Sequence, residues 1–174
     1  PMAIALYAQN TAAAPGYTFW PWDDVRAWGD YCGDLAILAE RAARAGVTAI
    51  GIDCEIYQLT PQLSGGKMGR SAWPNASGAL ARGTQMAQVL RQGDLKVFAY
   101  GWLEDCLRFP AWVQWCRGLR PHALADSRGF APNAPAPPTP RLHAALGWTV
   151  PVWAGRVTRS GLWRWRAEGT GAGR

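Results

Sequence analysis

Along the first 105 residues the apolar positions follow two patterns: short continuous runs of strand length, and longer segments in which they recur at helical spacings. The run MAIALYA (residues 2–8) has the length of a strand. From residue 25 to residue 42, apolar side chains recur at spacings of three and four, which predicts a helix that begins near Asp23 or Asp24 and ends at Gly46. VTAIGID (residues 47–53) follows directly, and its continuous apolar character is typical of a buried parallel strand.

The same order of elements is repeated once more. A loop rich in Gly, Ser and Pro separates the second strand from a predicted helix at residues 77–92. LKVFAYGWLED (residues 95–105) then predicts a third strand. Helices that alternate with strands indicate an α/β fold with parallel strands, arranged as a sheet or a barrel.

The composition changes at about residue 106. Residues 1–105 contain eight Lys and Arg against ten Asp and Glu, whereas residues 106–174 contain ten Arg, no Lys and only two acids. Pro, Trp and Gly are abundant there, and this composition predicts an irregular, basic, Arg/Pro/Trp-rich C-terminal region. Three interpretations stay open: a shifted reading frame, a genuine basic or disordered tail, and an ordinary half of a domain with an unclear pattern. The predicted organisation is a partial barrel segment at 1–105 and a basic tail at 106–174.

The stretch GIDCEIY (residues 51–57) carries the most informative polar residues. Because side chains alternate along a strand, Gly51, Asp53, Glu55 and Tyr57 share one face and the aliphatic residues share the other. The aliphatic face suits a layer of helices. The acidic face has small residues first and two carboxylates near the carboxyl end of the strand, where the active sites of βα barrels lie.

Two neighbouring carboxylates favour one protonated and one ionised acid, because like charges raise the pKa of one of them. Cleavage of a glycosidic bond needs such a pair, since a protonated acid must donate to the leaving oxygen. We therefore assign Glu55 as the candidate general acid/base, Asp53 as its assistant and Tyr57 as a substrate-binding residue. The plainer alternative is that these acids are the solvated end of a strand.

The third predicted strand adds further candidates. Tyr100, Trp102 and Glu104 would share one face, where aromatic rings could stack on a sugar and Glu104 could serve as a second catalytic carboxylate. Trp73, in the loop before the second helix, is a further candidate sugar platform. The alternative is that the aromatic residues pack in the core.

The sequence does not indicate a metal site, a cofactor site or a membrane span. The four cysteines form no Cys-x-x-Cys motif and the two histidines lie far from any cysteine pair, so we expect no metal site. The Gly-rich stretches lack the spacing of a phosphate-binding loop, and we expect no cofactor. No apolar run reaches the length of a membrane span. The cellular compartment and the oligomeric state stay open.

A family resemblance extends these inferences. The stretch WPWDDVRAWGDYCGDLAILAERAARAGVTAIGIDCEIY (residues 20–57) resembles a group of bacterial barrel proteins placed with the glycoside hydrolases. ARGTQMAQVL and LKVFAYGW, further along the chain, also fit that group. The resemblance covers about residues 18–104 and implies a (β/α)8 barrel that acts on carbohydrate. Such barrels typically have about 250 residues, so we expect this chain to form a partial or truncated barrel.

GIDCEIY is also similar to the strand motif of the chitinase-like glycoside hydrolases. That resemblance implies Glu55 as the acid and Asp53 as the residue that assists an N-acetyl group of the substrate. Ala49 and Gly51 stand where that motif has two further aspartates, so the resemblance to the first group is the better one.

The sequence thus predicts a glycoside-hydrolase-like protein that acts on glycosidic bonds of a poly- or oligosaccharide. One alternative is a carbohydrate-binding barrel without catalysis. A second is nucleic-acid binding through the tail, where arginines and tryptophans could contact phosphates and bases. Scattered charges without helical spacing make nucleic acid an unlikely partner.

Overall fold

The computed structural model of the protein describes residues 2–7, 25–53, 76–126, 136–157 and 163–168. These residues form six strands and five helices. In chain order the elements are β1 (Met2–Tyr7), α1 (Val25–Arg44), β2 (Val47–Asp53), α2 (Ala76–Gln92), β3 (Lys96–Gly101), α3 (Leu103–Cys106), α4 (Pro110–Leu119), β4 (Ala123–Asp126), α5 (Thr139–Leu146), β5 (Val152–Val157) and β6 (Trp163–Glu168).

The strands form one sheet whose order follows the chain, β1-β2-β3-β4-β5-β6. The first five strands pair in parallel, and β6 pairs antiparallel with β5. Parallel neighbours need a connection that returns to the starting edge, and helices are the usual means. The α/β class with parallel strands, predicted from the alternating pattern, is confirmed for β1–β5. The antiparallel β6 departs from that pattern.

Helices cover one face of the sheet along β2–β4 and at the start of β5. Alternate side chains of β2–β5 are inaccessible to solvent and join the apolar faces of the helices in one hydrophobic core; these strand residues are Ile50, Ile52, Val97, Ala99, Leu124 and Val152. From the helices the largest buried residues are Trp28, Met86, Leu90, Leu103, Trp112, Trp115, Leu119 and Leu142. On the opposite face the buried residues of β2–β5 are Val47 and the alanines Ala49, Ala123 and Ala125, and the aromatic residues Phe98, Tyr100 and Trp153 are half-buried.

Helix α1 packs by the predicted stripe. Leu35, Ala39 and Ala42 are buried, whereas Val25, which the prediction included in the stripe, is 76% exposed at the first position of the helix. Gly46 ends the segment with φ of 76°, a left-handed conformation that glycine adopts without steric cost. Asp23 and Asp24, the predicted capping residues, lie outside the described residues.

Trp28 joins α1 to α2. Its indole Nε1 donates a hydrogen bond of 2.7 Å to Oε1 of Gln85, and the guanidinium of Arg82 lies 5.0 Å from the ring centroid. The ring of Tyr31 packs beside it at 5.2 Å. Burial raises the pKa of the Tyr31 phenol and that of the Cys32 thiol, while the nearby Arg82 charge lowers the latter in part. Both groups therefore stay neutral at physiological pH.

Two glycines let α2 and α4 touch backbone to backbone. A Cβ atom at Gly83 would lie 2.1 Å from the carbonyl oxygen of Trp115, and one at Gly118 would lie 2.2 Å from that of Leu80. Both distances are far below van der Waals contact. Only glycine fits at either position of this crossing.

The prediction that regular structure stops at residue 106 is wrong for most of that region. α4, β4, α5 and β5 continue the sheet and its helical layer beyond that point. In α4 the buried residues are Trp112, Trp115, Cys116 and Leu119, the spacing of an amphipathic helix. The region is therefore not an irregular tail over residues 106–126 and 136–157.

Within the described part of the chain, no helix has the length and apolar character that crossing a bilayer requires.

Candidate functional site

Register across the sheet brings chemically distinctive residues into one row, at the carboxyl ends of β1–β4 and near the amino end of β5. Register pairs Tyr7 of β1 with Asp53 of β2, and Asp53 with Tyr100 of β3. The row continues through Ala125 of β4 to Trp153 of β5. Because residues in register share a face of the sheet, these five positions lie side by side on the face opposite the helices.

Phe98 and Trp153 form an aromatic pair on this open face. Their ring centroids are 5.5 Å apart and the rings are tilted by 38°. Both are half-buried. Strand β4 lies between the two strands that carry these rings. On it, Ala123 is in register with Phe98 and Ala125 is in register with Trp153, so the residues between the two aromatic positions are small. Half-exposed rings above small residues offer a surface on which a flat apolar group can stack.

The predicted acidic motif is placed in part. Asp53 is the last residue of β2, and its backbone is in register with Tyr100, so the two predicted site residues are neighbours across the sheet. Glu55 and Tyr57 follow Asp53 directly in the chain and lie outside the described residues, as does Trp73. Tyr100 is half-buried and has interactions of its own.

Glu104 and Trp102 do not occupy the positions predicted for them. β3 ends at Gly101, so Trp102 lies in the link after the strand, 40% exposed, and Glu104 lies in α3. The alternation of FAYGWLED predicted a longer strand, but the chain turns into a helix at Leu103, whose side chain is fully buried. Neither residue shares the strand face with Tyr100.

Glu104 instead accepts a hydrogen bond from Nη1 of Arg141, on α5, and forms a salt bridge with it. The glutamate side chain is 25% exposed and the arginine 64%. The contact joins the segment after β3 to the helix before β5. Arg141 is thus the partner of Glu104 in this structure.

Replacing Glu104 by glutamine should therefore affect stability slightly. Solvent-exposed ion pairs contribute about 0–1 kcal/mol, so we expect E104Q and R141Q to lower the free energy of unfolding by similar amounts within that range. Urea unfolding followed by circular dichroism measures both. A loss of several kcal/mol in E104Q alone would contradict the ion-pair role.

Asp126 is an acidic residue of this edge that the sequence reasoning missed. It ends β4, in register with Gly101 and Ala154, and is only 2% exposed. Its side chain has an interaction partner. One sequence pattern could have indicated this residue: the short apolar run ALAD ends in an acid, as GID does in β2. Acids thus end two of the parallel strands.

Both histidines bind backbone groups. Nδ1 of His122 accepts a hydrogen bond of 3.0 Å from the amide of Val97, and Nε2 of His143 contacts the backbone of Val150. Cys106 and Cys116 are fully buried and Cys32 is half-buried, and none of these three described cysteines is in a disulfide. Among the described residues, no three His, Cys, Asp or Glu side chains come together to hold a metal ion.

Comparison with known proteins gives no relative: no family model, curated protein or solved structure matches the chain.

Proposed function

We propose that the protein is glycoside-hydrolase-like and acts on the glycosidic bonds of a poly- or oligosaccharide. Glu55 serves as general acid/base, and Asp53 orients it and tunes its proton affinity. The observation that carries this proposal is the row of Tyr7, Asp53 and Tyr100 at the carboxyl ends of three neighbouring parallel strands, which Trp153 of β5 continues in register. Catalytic residues of βα barrels occupy that end of the strands.

The proposal includes a barrel. Strands β1–β5 are added in chain order, and one face of the sheet is covered by helices. In a (β/α)8 barrel that covered face is the outer one and the other face lines the interior. The open face here has small residues at Gly51, Ala123 and Ala125, as the inner face of a barrel with a substrate site requires; the two alanines are buried, at 2% and 8% exposure. The barrel would be partial, since β6 reverses the strand direction.

The position of Glu55 supports its role. It comes two residues after Asp53 in the chain, so strand alternation predicts that the two carboxylates share one face. Asp53 as an ionised neighbour would hold the Glu55 carboxyl protonated, as proton donation to a leaving oxygen requires. Tyr57 and Tyr100 would donate hydrogen bonds to sugar hydroxyls, and Trp73 and Trp102 would add apolar contact from the loops.

The test is turnover on a panel of glycans, measured as release of reducing ends. We expect E55Q to lower kcat by at least about 100-fold, the usual contribution of a general acid, while sugar binding is retained. D53N should lower kcat less and shift its pH profile. As a matched control, D30N changes an exposed acid of α1 to its amide and should leave turnover unchanged. Unaltered turnover in E55Q would show that the assignment is wrong.

A carbohydrate-binding barrel without catalysis is the second candidate. The Phe98–Trp153 pair favours it, because aromatic rings bind the apolar face of a pyranose without any acid. In that case the wild type would bind a glycan and release no reducing ends, and W153A would abolish binding while E55Q would leave it intact.

A further inference from the structure

A groove lies between the ends of helices α4 and α5, away from the open face of the sheet. Its volume is about 420 Å³, and the described residues that line it are Leu80, Gln114, Arg117, Arg120, Leu146, Gly147 and Trp148. We call it the α4–α5 groove. Small-molecule sites in proteins typically have volumes of about 300–1,000 Å³, so the groove is large enough for a ligand of nucleotide size.

The groove is strongly basic. Arg117 is in the last turn of α4 and Arg120 is the residue that caps it, so the two lie three positions apart and on one side of the helix end. Both side chains are exposed. Arg120 adopts φ of 48°, which turns the chain out of the helix at this point. No Asp or Glu belongs to the described lining of the groove.

The helix dipoles offset only part of this positive charge. Each helix carboxyl end carries roughly half a negative charge, and both α4 and α5 end at the groove. Arg91 already donates hydrogen bonds of 3.2 Å to the carbonyl oxygens of Leu119 and Arg120. Three guanidinium groups against two helix ends leave an excess of about two positive charges. A phosphate monoester carries about 1.5–2 negative charges at neutral pH.

Apart from the two arginines and Gln114, the lining has no polar side chain among the described residues. Leu80 is 39% exposed although it is a large aliphatic residue, and Leu146 forms part of the buried core below it. The guanidinium of Arg120 lies 5.5 Å from the ring centroid of Trp148, which holds it in place beside Gly147. A guanidinium fixed in this way loses less freedom on binding an anion.

From these observations we propose that the α4–α5 groove binds a phosphate monoester carried on a flat or apolar group. Arg117 and Arg120 bind the phosphate oxygens, Gln114 donates a further hydrogen bond, and Leu80 and Trp148 contact the attached group. Guanidinium groups match the geometry of phosphate oxygens and remain charged at every physiological pH. This site is independent of the proposed glycosidase function, since it shares no residue with it.

The experiment is calorimetric titration of the full chain at about 0.1 M salt, with adenosine 5′-monophosphate as the probe and with adenosine and inorganic phosphate as comparisons. We expect the monophosphate to bind with a Kd below about 1 mM, and each of the other two to bind at least about 10-fold more weakly, since each lacks half of the contacts. R117Q and R120Q should each weaken binding of the monophosphate by about 10-fold or more.

Two further variants test whether binding depends on the charge of the groove itself. R44Q removes the same charge from an exposed position on α1, where Arg44 pairs with Glu40, and should leave binding unchanged. Q114E adds a negative charge to the groove and should weaken binding, with circular dichroism to verify that the fold is kept. The proposal is overturned if the wild type fails to bind the monophosphate at 10 mM, or if R44Q weakens binding as much as R117Q does.

Discussion

Alanine at Gly83 is expected to lower the free energy of unfolding by about 3 kcal/mol. The added Cβ would meet the carbonyl oxygen of Trp115 at 2.1 Å and the amide nitrogen of Leu119 at 2.8 Å, both of them backbone atoms of α4. Backbone cannot rotate away as a side chain can, so α2 and α4 must separate. Overpacking of this kind costs about 1–3 kcal/mol and occasionally more. The gain of about 1 kcal/mol in helix propensity from Gly to Ala does not offset it.

Thermal unfolding measures the effect directly. For a chain of 150–250 residues, 1 kcal/mol corresponds to about 2–4 °C in Tm, so G83A should lower Tm by about 10 °C. G118A should act similarly, because its Cβ would meet backbone of α2 at Leu80 and Thr84.

Gly33 supplies a matched control for these two substitutions. It lies inside α1, and a Cβ there would have nothing within 4 Å. The same change, G33A, should therefore raise stability by about 0.5–1 kcal/mol, the propensity gain alone. Equal effects of G33A and G83A would contradict the close crossing of α2 and α4.

Alanine at Trp28 is the second substitution with a large expected effect. It would remove a side chain that is 2% exposed, its hydrogen bond to Gln85 and its contact with the Arg82 guanidinium. Truncation of a buried tryptophan typically costs about 3–5 kcal/mol. W28F keeps an aromatic ring and loses the hydrogen bond, so it should cost about 1–2 kcal/mol.

Urea unfolding followed by circular dichroism gives both values. Val25, on the same helix, provides the comparison, because it is 76% exposed and V25A should change stability by less than about 0.5 kcal/mol. A W28A variant as stable as V25A would contradict the packing of α1 on α2 through this residue.

The first half of the fold follows from its sequence because local signals agree there. Around β2, an apolar run of strand length follows a helix with a clear stripe, and Gly46 marks the boundary. Helix α2 was predicted at residues 77–92 and is observed at Ala76–Gln92. Propensity, periodicity and turn residues all favour one structure, which is the condition for a reliable prediction.

The prediction for the second half of the chain was wrong for a different reason. The stripe of Trp112, Trp115, Cys116 and Leu119 has helical spacing, but the abundance of Arg, Trp and Pro outweighed it in the interpretation. β4 has only four residues, all buried, too few to establish a period. Composition is an average over a whole region, whereas the packing of α4, a helix of ten residues, depends on the four buried positions alone.

The same difference applies to the candidate site: the residues on clearly predicted strands could be placed from the sequence, and the others could not. Asp53 and Tyr100 could be placed at one edge from strand alternation alone, and register makes them neighbours. Trp153 could not be found, since its place beside Ala125 depends on a strand that the sequence did not reveal. Glu104 was misplaced because alternation cannot show where a strand gives way to a helix, which depends on burial of Leu103 in the tertiary structure.

The sequential order of the strands has a consequence for how the chain folds. Pairing of β2 with β3 joins Ala49 to Lys96 across the loop that contains α2, whereas pairing of β3 with β4 joins Phe98 to Ala123, about half that separation. Closing a loop costs about 0.6 kcal/mol more for each doubling of its length. Contacts that are close in the sequence also form faster. The segment from β3 to β5, whose pattern is the hardest to read, is thus favoured to associate first and to serve as the template on which β2 and then β1 are added.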